Sequence, residues 1–476
     1  MTKKLNWLIC LILFLAAFLL RLYKIDQVTP GMWGDEITVG QASENLLLSR
    51  QITPFVDVNY GHPTPLLYLT GLAIKLFGRS VFSLRLTSVI FGSLDIAIFY
   101  LFLRRWQPLS VSLAASLAFL FSYPHLIVSR FAYEMTAAIF FQILAALFLY
   151  QKKYLALGLA LGTGLFTYLG FRPLALVFLL LALIINFKKI NRFFLVLGAA
   201  IFISSPLLYY SLQQPDQFWA RAKNLSVFHQ NLPTQEIVKE VLGAAQRSSL
   251  MIFTTGDPNP RQNPAGKPAF DPLTACLLFT GLVILFRRQR RLFFIWLLFS
   301  LTVFFSDIFS LERIPEFHYY GLGHPNILRL SGLIPLVYFS LAFGLNQLKK
   351  ISLSFMTILT VIIIVINYLW YFQQPISRFN YYVNGAGMLE LAKIINAGPY
   401  KTVATSSQII NDQRIQYFVS PQISLKLLTL PFSPDQLTII DSALASQSAK
   451  IPSQFTVKPF FNPWQETDAL LIFPPH

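Results

Sequence analysis

Acidic residues are scarce in this 476-residue chain: 21 Asp and Glu stand against 38 Lys and Arg, and all charged residues together make up 12%. With 55% hydrophobic residues and a mean hydropathy of +0.56, that scarcity excludes an ordinary soluble globular protein. Cysteine is nearly absent. Cys10 and Cys276 both fall inside apolar runs, which excludes a disulfide framework, and neither has a His or Asp neighbour to activate its thiol. The six histidines are dispersed, with no His-Glu-x-x-His spacing. No cofactor is therefore expected to be required, and a divalent metal at Glu316, His318 and His324 is only a minor alternative. A nucleophile-elbow motif is missing too, which argues against a serine hydrolase. The net charge of +17 would suggest nucleic acid in a soluble protein, but no basic stripe interleaved with aromatics exists outside the apolar runs.

What the chain has instead is a series of long apolar runs. They cover about 5–22, 85–103, 109–128, 132–150, 154–171, 173–187, 193–211, 271–286, 292–310, 326–346 and 351–372. These describe a polytopic α-helical membrane protein of about eleven spans. The basic clusters are Lys3/Lys4, Arg104/Arg105, Lys152/Lys153, Lys188/Lys189/Arg192, Arg287/Arg288/Arg290/Arg291 and Lys349/Lys350. All of them fall at alternate junctions, so all can be cytoplasmic at once, as the positive-inside rule asks. The expected topology is a multi-pass protein of the cytoplasmic membrane with its N-terminus inside and its C-terminal part outside. The first run follows Lys3/Lys4 without a small-residue cleavage site and is expected to remain as the first helix.

The run 64–78 breaks that parity if it is counted as a span. Its 15 residues would cover about 22 Å, short of a ~30 Å hydrocarbon core, so an interfacial helix on the outer face is expected. The outer loop 23–84 then holds a helix from about Glu36 to Ser49, with Asp35 as its N-cap. A second outer loop spans 212–270, and a third, 311–325, carries Glu312, Arg313, His318, Tyr319, Tyr320 and His324. Residues 1–372 form the membrane domain. Residues 373–476 read as a small soluble α/β domain, with a helix near 386–396 and strands near 401–406, 414–419, 424–430 and 468–473.

Asp35 and Glu36 stand out among the few acids. As helix-start residues they would stabilise α-helix by about 1 kcal/mol. Beside Met32 and Trp33, which suggest partial desolvation at a membrane surface, a carboxylate there could also have the raised basicity that a general base needs. Arg85, Arg130, Glu134, Arg172, Arg313 and Arg329 all lie at outer ends of spans. One Arg alone could snorkel to lipid headgroups, but several on one side suit a phosphate-bearing ligand through the bidentate guanidinium fork. His62, in His62-Pro63-Thr64-Pro65, supplies another donor. Tyr168 joins Arg172 and Pro173 at one outer end, and Lys267 closes the turn Asn263-Pro264-Ala265-Gly266-Lys267.

Taken in order, these residues resemble the bacterial GT-C glycosyltransferases, especially the protein O-mannosyltransferase-like and ArnT-like enzymes often grouped as glycosyltransferase family 39. The resemblance rests on Gly34-Asp35-Glu36, Tyr60-Gly61-His62-Pro63-Thr64-Pro65-Leu66, Phe77-Gly78…Arg85-Leu86 and Ser129-Arg130-Phe131-Ala132-Tyr133-Glu134. Pro206…Pro215…Phe218…Arg221 and Ile327-Leu328-Arg329-Leu330-Ser331-Gly332…Pro335 add to it. It implies a GT-C bundle that takes a sugar from a polyprenyl (undecaprenyl) phosphate carrier and passes it, with inversion, to an acceptor hydroxyl on a lipid, glycan or protein. It further implies that Asp35 is the base, with Glu36 orienting it. His62, Arg85, Arg130, Glu134, Tyr168, Arg172, Lys267 and Arg329 are then substrate-binding candidates. His62 stands where ArnT-like members have Lys, and Thr64 interrupts a usual Pro-Pro pair. A transporter or flippase for lipid-linked glycans is the rival class. It would place ionisable groups near the midplane on broken helices, with inverted repeats.

Overall fold

The structure, a computed structural model, describes residues 3–50, 52–259, 267–311, 323–374, 377–428, 433, 435–441, 451 and 453–474. The chain begins with α1 (Lys3–Leu22), α2 (Gly34–Ser49), the strands β1 (Phe55–Val56) and β2 (His62–Pro63), and α3 (Pro65–Phe77). The apolar runs then form α4 (Val81–Leu103), α5 (Leu109–Leu120), α6 (Tyr123–Ser129), α7 (Met135–Tyr150), α8 (Tyr154–Gly164), α9 (Phe171–Ile185) and α10 (Ile190–Gln213). Two more polar helices follow, α11 (Pro215–Leu225) and α12 (Thr234–Leu250). The bundle ends with α13 (Pro272–Arg288), α14 (Arg290–Ile308), α15 (Ile334–Ile351) and α16 (Leu353–Phe372).

Helices thus stand on all eleven expected apolar runs, but they are unequal. Among the described residues, six are long and apolar enough to cross a membrane alone: α1, α4, α10, α14, α15 and α16. The run 109–128 is broken into α5 and α6, which meet at 57°. Pro124, in the first turn of α6, has no N–H to continue the ladder from α5. α8, with 11 residues, spans roughly 16 Å, about half the hydrocarbon thickness. α3, with 13 residues, spans roughly 20 Å. The main core lies between the long helices, where Phe99 of α4, Phe119 of α5, Phe178 of α9, Phe299 of α14 and Tyr338 of α15 are buried together.

After α16 the chain forms α17 (Arg378–Val383), α18 (Ala386–Ala397), β3 (Thr402–Thr405), α19 (Ser407–Ile410), α20 (Gln413–Phe418), β4 (Ser424–Leu427), β5 (Leu437–Asp441), β6 (Thr456–Phe461) and β7 (Thr467–Phe473). The five strands make one mixed sheet in the order β4-β3-β5-β7-β6. β3 is parallel to both neighbours and β7 antiparallel to both of its own. Leu391 and Ile395 of α18 and Ile415 of α20 pack onto Val403, Ile439 and Leu471 of the sheet. One expected strand, 414–419, is instead the helix α20. The Asp412 carboxylate accepts the Arg414 N–H at 2.8 Å, and this cap starts a helical turn that the apolar pattern alone does not signal. β5 and β6 were not expected.

The sheet domain rests on the segment around the start of α2. Met32, Ile37, Ile74 and Leu84 share a small buried cluster with Leu389 and Tyr417. Beside it, Arg79 donates to the Glu44 carboxylate at 2.8 Å and to the Tyr417 carbonyl at 3.0 Å.

Candidate active site

The site starts from the first turn of α2. Trp33, not Asp35, precedes the helix, so Asp35 lies within that turn and not at its cap. Glu36 reaches back to accept the Trp33 backbone N–H at 3.2 Å, which satisfies a donor that the helix itself leaves open. The Trp33 indole N–H donates to one oxygen of Asp35 at 3.1 Å, and the Asn59 amide donates to the other at 3.1 Å. Asn59 comes from the tight turn between β1 and β2, where Asn59, Tyr60 and Gly61 all have positive φ (50°, 66° and 102°). Gly61 is required there, since a Cβ would sit 2.4 Å from the Phe55 ring. The turn aims Asn59 at Asp35, and the carboxylate is held at both oxygens near the positive end of a helix.

Glu36 faces the other way. It is fully buried, bonded to Arg85 through both oxygens at 2.9 and 3.0 Å, and it accepts the Ala132 N–H at 2.9 Å. Arg85 is buried as well and also donates to the carbonyls of Ile25 and Gly31, at 3.0 and 2.9 Å. The pair ties α2 to α4 and to the loop before α7. Both groups are fully committed to protein partners.

Asp35 opens instead into a cavity of about 790 Å³. Of the ten residues expected at the site, Asp35, His62, Glu134, Tyr168 and Arg329 line its wall. His62 Nδ1 lies 2.6 Å from a Glu134 oxygen, while its Nε2 is buried with no hydrogen-bond partner in the structure. α7 begins at Met135, which puts Glu134 in the preceding loop. Burial alone would raise the Glu134 carboxyl, but His62, then Arg221 and Arg172, outweigh it and hold it below the usual carboxylate range. Arg329 Nη1 lies 3.8 Å from Asp307, whose other oxygen accepts the Ser248 hydroxyl at 2.6 Å.

The remaining expected residues stand elsewhere. Arg130 is buried and donates to the Tyr371 hydroxyl at 3.1 Å and to the carbonyls of Leu20, Arg21, Tyr23 and Lys24. It closes the C-terminal end of α1, where a helix leaves carbonyls without partners. The Lys267 ammonium sits 4.5 Å from the Trp370 ring and 5.3 Å from that of Tyr123, a cation–π seat off the cavity wall. Arg172 stacks 4.4 Å over Phe218, behind the wall but close enough to act on Glu134 electrostatically. Arg313, His318, Glu316 and residues 263–266 lie outside the described residues.

Part of the wall was not expected from the sequence: Asn59, Lys223 and His229, together with Tyr60 and Arg221, which stood only within motifs. An Asn-x-Gly turn beside His62 and two basic residues in the helix opened by Pro215 were the available signals. The cavity wall thus carries His62, Arg221, Lys223, His229 and Arg329 against two acids, Asp35 and Glu134. Such a balance suits an anionic ligand with a polar, uncharged portion beside the carboxylates. Among the described residues no group of three or more His, Cys, Asp or Glu is placed to hold a metal ion.

Compared with solved structures, the whole chain is similar to ArnT from Cupriavidus metallidurans. Against the apo state the TM-score is 0.56 at 12% sequence identity. Against ArnT bound to undecaprenyl phosphate it is 0.54 at 13%. In both, the match covers 99% of this chain and 98% of the other. The chain has a GT-C fold. No protein-family model matches the sequence, and no curated protein matches it. At this identity the likeness to ArnT concerns the fold alone.

Proposed function

We propose that this protein is a membrane glycosyltransferase that moves a sugar from a polyprenyl phosphate, such as undecaprenyl phosphate, to an acceptor hydroxyl, with inversion at the anomeric carbon. The observation that carries this proposal is a single cavity that joins the doubly held Asp35 carboxylate to the cations Arg221, Lys223 and Arg329. In the reaction, Asp35 takes the acceptor proton as the hydroxyl oxygen attacks the anomeric carbon. The bond from that carbon to the phosphate oxygen breaks on the opposite face, and the electron pair leaves with the lipid phosphate. Phosphate is a competent leaving group, so cations that stabilise the developing charge matter more than a general acid. Glu134 is well placed to hold His62 toward the sugar or phosphate, with its own charge maintained by neighbouring cations. Glu36 acts at one remove, fixing the turn that carries Asp35.

In this proposal residues 1–372 form the transferase domain in the cytoplasmic membrane, with the N-terminus inside. Residues 373–476 form an extracytoplasmic domain on the same side as Asp35. The acceptor is a lipid, glycan or protein hydroxyl. The test is to incubate purified protein with polyprenyl-phosphate sugars and envelope acceptors and to identify products by mass spectrometry. Appearance of free polyprenyl phosphate with a glycosylated acceptor is expected. Movement of an intact lipid-linked sugar across proteoliposomes, without bond cleavage, would instead identify a flippase.

A further inference from the structure

The segment Gly31–Trp33 is the short connection on which Asp35 hangs, and both faces of it are held. On one side Arg85 donates to the Gly31 carbonyl at 2.9 Å. On the other lies the C-terminal domain. The Met32 N–H donates to the Asn384 carbonyl at 2.6 Å, and the Met32 carbonyl accepts Arg414 Nε at 3.0 Å. Gly31 adopts φ +87°, and a Cβ on it would lie 2.3 Å from the Asn384 carbonyl oxygen, so the two segments touch backbone to backbone. The Met32 side chain is fully buried in the cluster shared with Leu389 and Tyr417. Arg414 is itself fixed, donating to Asp412 at 2.8 Å and to the Val383 carbonyl at 2.6 Å. Its guanidinium crosses Gly385, which has φ +59° and where a Cβ would fall 2.3 Å from Nε.

We propose that the C-terminal domain is a positioning element of the reaction centre, and that Arg414 is the residue through which it acts. Among the described residues the domain contributes no group to the cavity wall. What it supplies is a fixed register for the Met32 peptide, three residues before Asp35, so that the carboxylate meets the acceptor oxygen at bonding distance. Small displacements of a reacting group are felt mainly in turnover, because alignment is lost while binding contacts survive. The proposal rests on Asp35 being the base.

The test compares wild type, Arg414→Ala, Arg414→Lys, Gly385→Ala and Asp35→Asn, each purified in detergent, with a polyprenyl-phosphate sugar as donor. For Arg414→Ala, kcat should fall roughly 10- to 100-fold while KM for the donor stays within about threefold of wild type. Arg414→Lys should recover part of that loss, since an ammonium can still reach the Met32 carbonyl. Gly385→Ala keeps the arginine but displaces it, and should reproduce the kcat loss. This second variant serves if Arg414→Ala does not fold. A kcat within about twofold of wild type in both variants, beside an inactive Asp35→Asn, would overturn the positioning role. So would losses that simply follow melting temperature, or that appear in KM. A wild type without transfer activity, or a fully active Asp35→Asn, overturns the underlying assignment of Asp35 and this inference with it.

Discussion

Arg85 grips Glu36 through two parallel hydrogen bonds, Nε to Oε1 at 2.9 Å and Nη2 to Oε2 at 3.0 Å, with both side chains sealed from solvent. A buried pair of this kind is costly to break by halves, because the remaining charge is stranded. Arg85→Ala should therefore destabilise the protein by about 3–5 kcal/mol. Thermal melts in detergent would read this. A variant that melts like wild type but loses donor affinity would return Arg85 to the role of phosphate ligand.

Asp35→Asn should leave the fold intact, since an amide oxygen can still accept the Trp33 indole N–H. Turnover should drop by roughly 10²- to 10⁴-fold, the usual worth of a positioned general base. The check is single-turnover transfer on protein whose melting temperature is unchanged. Activity within a few fold of wild type would remove Asp35 from the base role.

Among the arginines, the structure separates wall from frame. Arg221→Ala and Arg329→Ala should each weaken the donor by about 10- to 100-fold in KM, as expected for a lost charge-assisted hydrogen bond. Arg130→Ala should instead lower stability, because the C-terminal end of α1 loses its donors. Donor titrations and melts on the three proteins decide this, and a donor-specific defect in Arg130→Ala alone would reverse the assignment.

The His62–Glu134 pair carries a pH signature. Glu134 is held below its ordinary 4.5 in the folded protein, so its contribution to stability is complete above about pH 4.5 and is lost as pH falls through the lower folded value. Wild type should accordingly lose melting temperature more steeply than Glu134→Gln from about pH 4.5 downward. Parallel curves would mean that the pair adds nothing to folding.

Orientation can be read with single cysteines in a chain whose Cys10 and Cys276 are replaced. Ile52, almost fully exposed at 96%, lies in the loop that carries the site, and Arg105 lies at a basic junction. Ile52→Cys should react with an impermeant maleimide on intact cells, and Arg105→Cys only after permeabilisation. The opposite pattern would invert the topology.

The bundle was legible because hydropathy is a local property: each apolar run announces its helix without reference to any other. The bend between α5 and α6 was not, since a single Pro124 inside an apolar run leaves the sum of hydropathy unchanged. The site was legible in part. Asp35, His62, Glu134, Tyr168 and Arg329 share a cavity, as their common side in the inferred topology suggested. The arginines were harder, because nothing beside Arg85 in the sequence tells that its partner is a carboxylate 49 residues away and not a bound phosphate. The same holds for Arg130, whose partners are carbonyls more than 100 residues back. Arg221, Lys223 and His229 sit on or just after a polar helix whose place on the cavity wall depends on tertiary packing, and no local pattern encodes that.

Arg414 and Met32 are 382 residues apart in the chain, and that distance is also an interval of time. During synthesis the segment bearing Asp35 is laid down near the start, while its brace from Arg414 does not yet exist. At about 5–20 residues per second, the nascent protein spends tens of seconds with a complete first turn of α2 whose approach is held from the Arg85 side alone. The second hold on the Met32 peptide arrives only when the late-made domain seats itself. If Asp35 is the base, a chain in which the late-made domain has not yet docked would turn over only slowly.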